Sequence, residues 1–170
     1  VNRDNTYISF DPNYRESLWE SKEEARIVLS NFASKANILK MNVEELLFLT
    51  EQSDLEKASE ELFGENTMLI AITLGSKGCF IKTRNLFIFV SGFKVEQVDS
   101  TGCGDAFLAG LLAKIVKQER YIEYFNEKDL IELGKFANGA GAIAVNRLGG
   151  TESLPTSKEL NMFLEERNKK

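Results

Sequence analysis

Histidine is absent from all 170 residues. That gap removes Ser-His-Asp and Cys-His catalysis and every zinc site built on imidazole. Acid–base work is left to Asp, Glu, Lys, Tyr or Cys. Cysteine is scarce: Cys79 and Cys103 make no disulfide framework, and a reducing cytoplasm is the expected setting. No apolar run approaches the ~18 residues of a membrane span, and no signal-peptide pattern opens the chain. A basic block is missing as well, and the net charge of −5 argues against nucleic acid as the main partner. The chain opens VNRDNTYISF without an initiator methionine and runs almost at once into an apolar strand, read as part of the core. An upstream portion is therefore expected.

What is present suits one globular unit over residues 1–170. With 43% hydrophobic residues, such a chain buries roughly 70% of the surface its unfolded form exposes. Tyr7 to Phe10 reads as a strand stopped by Asp11-Pro12-Asn13. Ser21 to Glu24 has capping-box spacing, followed by the apolar face Ala25, Ile27, Val28, Leu29, Phe32. A second strand spans Ala36 to Met41, and helices follow from Asn42 and from about Asp54 to Phe63. Met68 to Leu74 is a continuous apolar strand of the kind buried on both faces of a parallel sheet. Cys79 to Lys82 and Leu86 to Val90 read as a hairpin, and helices over about Lys128 to Asn146 and Thr156 to Glu166 close the chain. This order predicts an α/β sheet with helices on both faces. Ligands of such sheets bind beyond the carboxyl ends of the strands, where Asp11, Asn42, Gly75 and the Gly102 turn all fall, so one shared site is expected.

The stretch with the most chemistry is Val98 to Leu112, VDSTGCGDAFLAGLL. Gly102 and Gly104 allow a tight turn and close approach of a ligand to the backbone. The helix from Asp105 is apolar almost all round through Ala106, Phe107, Leu108, Leu111, Leu112, Ile115 and Val116, which predicts burial on every side. A glycine turn opening a buried helix aims free N–H groups and the positive dipole end at one point, which favours phosphate. Asp105 there is either a simple cap or an acid with a chemical task. Other stretches carry similar alternatives. Arg15, in DPNYR, is a surface arginine or a phosphate or carboxylate ligand. Asn42 and Glu45 form a capping box, with or without a second role for Glu45 beside a magnesium-bound water. Thr73 to Gly78, TLGSKG, is a hairpin turn or a surface along which a nucleotide lies. Cys103 sits where a helix N-terminus stabilises a thiolate, although an anion hole needs only its backbone N–H. The small residues from Phe136 to Ala142 permit close helix packing or contact with a flat purine.

Taken in order, DPNYR, NVEE, TLGSKG, DSTGCGD and ANGAGAIAVNRLGG resemble the C-terminal half of the ribokinase-like (PfkB) sugar kinases, fructokinases above all, with Leu18-Trp19 after DPNYR adding to the likeness. The resemblance implies a Rossmann-like ribokinase fold with a mostly parallel sheet, lacking the N-terminal portion and its β-sheet lid. It implies ATP-dependent phosphorylation of a sugar hydroxyl, most simply that of fructose, with Asp105 as base and the backbone of Gly102, Cys103 and Gly104 as anion hole. Asn42 and Glu45 match the magnesium and phosphate motif, Thr73, Gly75 and Gly78 the nucleotide turn, and Asn138 an adenine contact. Asp99 and Thr101, with Ala144 and Gly149 as further carbonyl donors, match a site for a monovalent cation, K⁺. The family's lid often makes a homodimer. Since the sugar-binding half is missing, the chain alone is not expected to turn over. Ribose, ketodeoxygluconate or a nucleoside are the rival substrates, and a non-catalytic nucleotide- or partner-binding relative is the rival class. A nicotinamide oxidoreductase is disfavoured because no G-x-G-x-x-G follows the first strand.

Overall fold

The computed structural model describes residues 6–118 and 120–168. Five strands are hydrogen-bonded in the order β1-β2-β3-β4-β5: Ser9–Phe10, Ile38–Asn42, Leu69–Thr73, Gly78–Lys82 and Phe87–Ser91. The chain divides into two compact units, Val1–Thr73 with Ile81–Phe87, and Leu74–Phe80 with Ile88–Lys170.

In the first unit β1 runs parallel to β2 and β2 parallel to β3, with Ser9 opposite Ile38 and the β2–β3 register running from Ile38 opposite Leu69 to Asn42 opposite Thr73. Parallel neighbours need a crossover. Helices α1 (Lys22–Ala33), α2 (Val43–Thr50) and α3 (Leu55–Glu61) lie in those connections. Their starts follow from local chemistry. Ser21, Asn42 and Asp54 each accept a hydrogen bond from the backbone N–H three residues on. The first four residues of both β2 and β3 are buried, as their continuous apolar runs predict.

Two expectations for this unit are corrected. The opening strand is two residues long and is not core: Tyr7 and Ile8 are exposed. Along α1 the buried residues are Ala25, Leu29 and Ala33, whereas Ile27 and Phe32 are exposed. The helix buries the narrow i, i+4, i+8 stripe of that apolar face.

β4 and β5 are joined through a tight turn closed by Thr83 N–H donating to the Leu86 carbonyl at 2.9 Å. A link that short makes neighbouring strands antiparallel. That turn belongs to the first unit, and the second holds α4 (Cys103–Val116), α5 (Glu127–Val145) and α6 (Ser157–Asn168). The expectation that α4 is buried all round is corrected. Ala106, Phe107, Gly110, Leu111 and Ile115 form one buried face, while Val116 is 80% exposed. The central buried helix is α5, with Leu130, Leu133 and nearly everything from Phe136 to Ala144 inside. Its small residues serve packing. A Cβ on Gly110 of α4 would lie 2.9 Å from Ala140, one on Gly134 2.7 Å from Val90, and one on Gly139 2.9 Å from Leu160 of α6. Phe136, Ala140, Ile143 and Leu160 form a cluster extended by Phe163 and Leu164.

Candidate active site

Asp99 to Asp105 form the turn that starts α4. Gly102 is the N-cap, at φ 75°, and a Cβ there would come within 3.2 Å of the Gly150 backbone. Glycine is thus required both for the left-handed backbone and for the approach of the next loop. No side chain caps this helix, so its first-turn N–H groups are not used by the helix itself. One of the three backbone groups of the expected anion hole is turned away: Cys103 N–H donates to the Ser100 carbonyl at 3.3 Å. Asp105 stands exposed in the first turn of the helix.

Asp99 ties this turn to the loop after α5. Its Oδ1 accepts the Thr101 N–H at 2.9 Å and its Oδ2 the Gly149 N–H at 3.3 Å. The N–H groups of Val98 and Asp99 both donate to the Val145 carbonyl, at 2.8 and 3.1 Å. The hydrogen bonds from Thr101, then that from Gly149, hold the Asp99 carboxyl below its ordinary range. A carboxylate beside the carbonyls at the negative end of α5 makes an oxygen-rich setting suited to a hard cation. Of the two further expected carbonyl donors, that of Ala144 already accepts the Arg147 N–H at 3.1 Å, and Gly149 contributes its N–H to Asp99. Of the two readings of Cys103, the surroundings favour a neutral thiol over a thiolate. Burial, then the charge of Asp99, pushes its thiol up, and Sγ donates to the Asp99 carbonyl at 3.6 Å.

Elsewhere in the second unit, the turn holding Gly75 and Gly78 is closed by Leu74 N–H donating to the Gly78 carbonyl at 2.8 Å, and Gly92 N–H donates to the Lys77 carbonyl at 2.9 Å. Gly78 lies at φ 121°, and a Cβ there would fall 2.1 Å from the Val90 carbonyl oxygen. Asn138, expected at adenine, is 9% exposed. Its amide donates to the Val90 and Ser91 carbonyls at 3.1 and 3.2 Å, which braces α5 to the end of β5. It also bonds Cys79, whose thiol burial pushes up to about 12 despite that bond.

In the first unit Asn42 and Glu45 make a full capping box, with Asn42 Oδ1 accepting Glu45 N–H and Glu45 Oε2 accepting Asn42 N–H, each at 2.8 Å. Glu45 is 5% exposed, and its Oε1 accepts the Tyr14 N–H at 2.9 Å. That link between the DPNYR turn and α2 was not foreseen. Nor was the pair of Lys40 Nζ with Asp11 Oδ2 at 2.8 Å. A lysine in the middle of a doubly buried strand was its signal, because a buried ammonium needs a carboxylate. Asp11 Oδ1 also accepts the Asn13 N–H at 3.2 Å, and Asn13 has φ 42°. Arg15 stays exposed, one guanidinium nitrogen donating to the Tyr14 carbonyl at 3.1 Å. Thr73 ends β3, its hydroxyl 3.4 Å from the Met41 carbonyl. Among the described residues no three His, Cys, Asp or Glu side chains gather as a metal centre.

A parallel α/β unit, and a helix begun on glycine with an acid in its first turn, are features shared by many α/β proteins that bind phosphate. The model of the pfkB family carbohydrate kinases matches residues 1–157, and the chain belongs to that family. Fructokinase-1 of Zea mays is 42% identical over 159 residues, which are 93% of this chain and 49% of that protein. The solved fructokinase of Xylella fastidiosa with bound ATP superposes with a TM-score of 0.86 at 28% identity, covering 94% of this chain and 52% of that one. A double mutant of the Vibrio cholerae O395 fructokinase, in a form with fructose, ADP and potassium ion bound, gives 0.82 at 34% identity, covering 93% and 50%. The fold is theirs, and the chain spans about half the length of these relatives.

Proposed function

We propose that this chain is the nucleotide-binding and phosphoryl-transferring part of an ATP-dependent sugar kinase whose substrate is fructose. The observation that carries the reading is the glycine-capped start of α4 with Asp105 exposed in its first turn. Asp105 takes the proton of the attacking sugar hydroxyl, a role that typically contributes about 10²–10⁴ in rate. The N–H groups of Gly102 and Gly104 and the dipole of α4 steady the charge of the transferring phosphoryl group. If Cys103 N–H joins them, it first leaves the Ser100 carbonyl. Gly75 and Gly78 shape the turn proposed to meet the nucleotide, with Thr73 at the end of β3. Asn138 acts behind that surface, holding β5.

Glu45 would serve Mg²⁺ through water, using the lone pairs that the Tyr14 and Asn42 N–H groups leave over, and the ion would supply positive charge to the phosphates. Asn42 keeps that carboxylate in place. Arg15 offers its exposed guanidinium to a phosphate or to the substrate. Asp99, with the carbonyls of Thr101, Ala144 and Gly149, would hold K⁺; a form of the Vibrio cholerae relative with potassium ion bound supports a role for the ion, though not its place. The reading places the protein in the cytoplasm; no described helix is long and apolar enough to cross a membrane.

The test is ADP release by the fullest form of the protein that carries this chain, with ATP, Mg²⁺ and K⁺, offered fructose, ribose, ketodeoxygluconate or adenosine. Fructose-dependent release that vanishes in Asp105→Asn is the expected result. Release with another member of the panel moves the substrate. Nucleotide binding without release by any of them moves the reading to a binding-only relative.

A further inference from the structure

We infer that Arg147 is the positioning residue that holds the loop after α5 against the Asp99–Gly104 turn. The inference rests on the reading of that turn as the phosphate and cation end of the site. The loop runs from Asn146 to Gly150. At its far end the Gly150 carbonyl accepts the Ser153 N–H at 3.2 Å and the Ser153 hydroxyl at 2.6 Å. Among the described residues from Asn146 to Gly149, however, no side chain other than that of Arg147 makes a hydrogen bond. Asn146 is exposed and Leu148 is 74% exposed. Gly149 and Gly150 have no side chain, and a Cβ on either would meet nothing within 4 Å. Yet this loop supplies the Gly149 N–H that Asp99 accepts at 3.3 Å, and Gly150 lies against Gly102.

Arg147 ties the loop down from both its ends. Its backbone N–H donates to the Ala144 carbonyl at 3.1 Å. Its guanidinium donates to Glu159 Oε1 at 2.6 Å. Glu159 is itself fixed: its Oε2 accepts the Thr156 N–H at 2.7 Å and the Thr156 hydroxyl at 2.8 Å, and its own N–H donates to that hydroxyl at 3.3 Å. An ordinary surface ion pair holds two mobile side chains and contributes little. Here the carboxylate is pre-placed by the capping box of α6, so the arginine meets a stationary anchor. The strap passes from α6 through Arg147 to Gly149 and on to Asp99.

Two measurements test this. Hydrogen exchange, followed by NMR, reads the Gly149 amide directly. Arg147→Ala is expected to speed its exchange about tenfold or more while amides inside α5 stay protected, because local opening is set by local contacts. The second measurement is MgADP affinity as a function of K⁺ concentration, in which Arg147→Ala raises the K⁺ needed for half-effect several-fold and Arg147→Lys recovers most of it. Leu160→Ala, which thins the α5–α6 core, controls for general loosening; it lowers Tm and leaves the K⁺ requirement where it was. Unchanged Gly149 exchange in Arg147→Ala overturns the inference, as does an equal K⁺ shift in Leu160→Ala. If the wild-type chain ignores K⁺ and nucleotide, the functional reading falls, and the exchange experiment still decides whether Arg147 holds the turn.

Discussion

Asp105 and Asp99 sit six residues apart and differ in what surrounds them. Asp105 is exposed at a helix start, where a base must meet its substrate. Asp99 is held by the N–H groups of Thr101 and Gly149, which suits a carboxylate that stays charged and stationary. Replacing Asp105 by Asn keeps the size and the possibility of hydrogen bonding but removes the proposed base. In the fullest form of the protein, nucleotide binding should survive while kcat falls by at least ~10². Retention of most of the activity would place the base elsewhere.

The same contrast has a consequence for acid stability. Glu159 is lowered to about 2 by the backbone and hydroxyl of Thr156 and then by Arg147, and Asp99 is lowered as well. A carboxyl whose folded pKa lies below its unfolded value contributes stability that is fully present above the unfolded value. That stability is lost as pH falls through the folded one. For Glu159 the window runs from about 4.3, the ordinary Glu value, down to about 2. Tm followed across that window should fall less steeply in Glu159→Gln than in the wild type; identical slopes would show that Glu159 is not held as described.

At the level of elements, starts and turns were legible in the sequence because their chemistry is local. The capping spacings Ser21 to Glu24, Asn42 to Glu45 and Thr156 to Glu159 all mark helix starts, and the box at Asn42 is complete. Asn42→Ala should therefore cost about 0.5–2 kcal/mol by urea denaturation, whatever Glu45 does for a metal. The hairpin gives a sharper case. Gly78→Ala puts a side chain at φ 121° and 2.1 Å from the Val90 carbonyl, and a strained backbone of this kind costs about 1–3 kcal/mol before any clash.

Partners distant in sequence were not legible. Tyr14 meets Glu45 and Lys40 meets Asp11 only because β1 and β2 are parallel neighbours. Arg147 meets Glu159 only because α5 and α6 pack together. Periodicity also misjudged which helix lies deepest. The apolar circumference of α4 looked the more buried, but the small residues of α5, poor in hydropathy, let α4, α6 and Val90 close around it. Close approach is decided by volume, and a hydrophobic pattern does not record it.

For the whole chain the governing quantity is charge. Lys and Arg number 21 against 26 Asp and Glu, a net −5, and the proposed ligand is a polyanion. The long-range field opposes that ligand, so affinity must come from short-range features: backbone N–H groups, one helix dipole and metal on the phosphates. A divalent ion lowers the charge of bound ADP by two and so removes much of the repulsion. Removing Mg²⁺ with EDTA should therefore weaken ADP binding by about tenfold or more, equivalent to about 1.4 kcal/mol, with recovery on adding Mg²⁺ back. The loss should shrink as salt rises, because at ~0.1 M ionic strength fields are screened over about 10 Å. Calorimetric titration of the chain with ADP, with and without Mg²⁺ and at low and high salt, measures both effects. Equal affinity with and without the metal would remove Mg²⁺, and with it the proposed task of Glu45, from the reading. A metal effect that does not change with salt would show instead that the ion acts through direct contacts close to the phosphates, with the acidic surface of the chain playing no part.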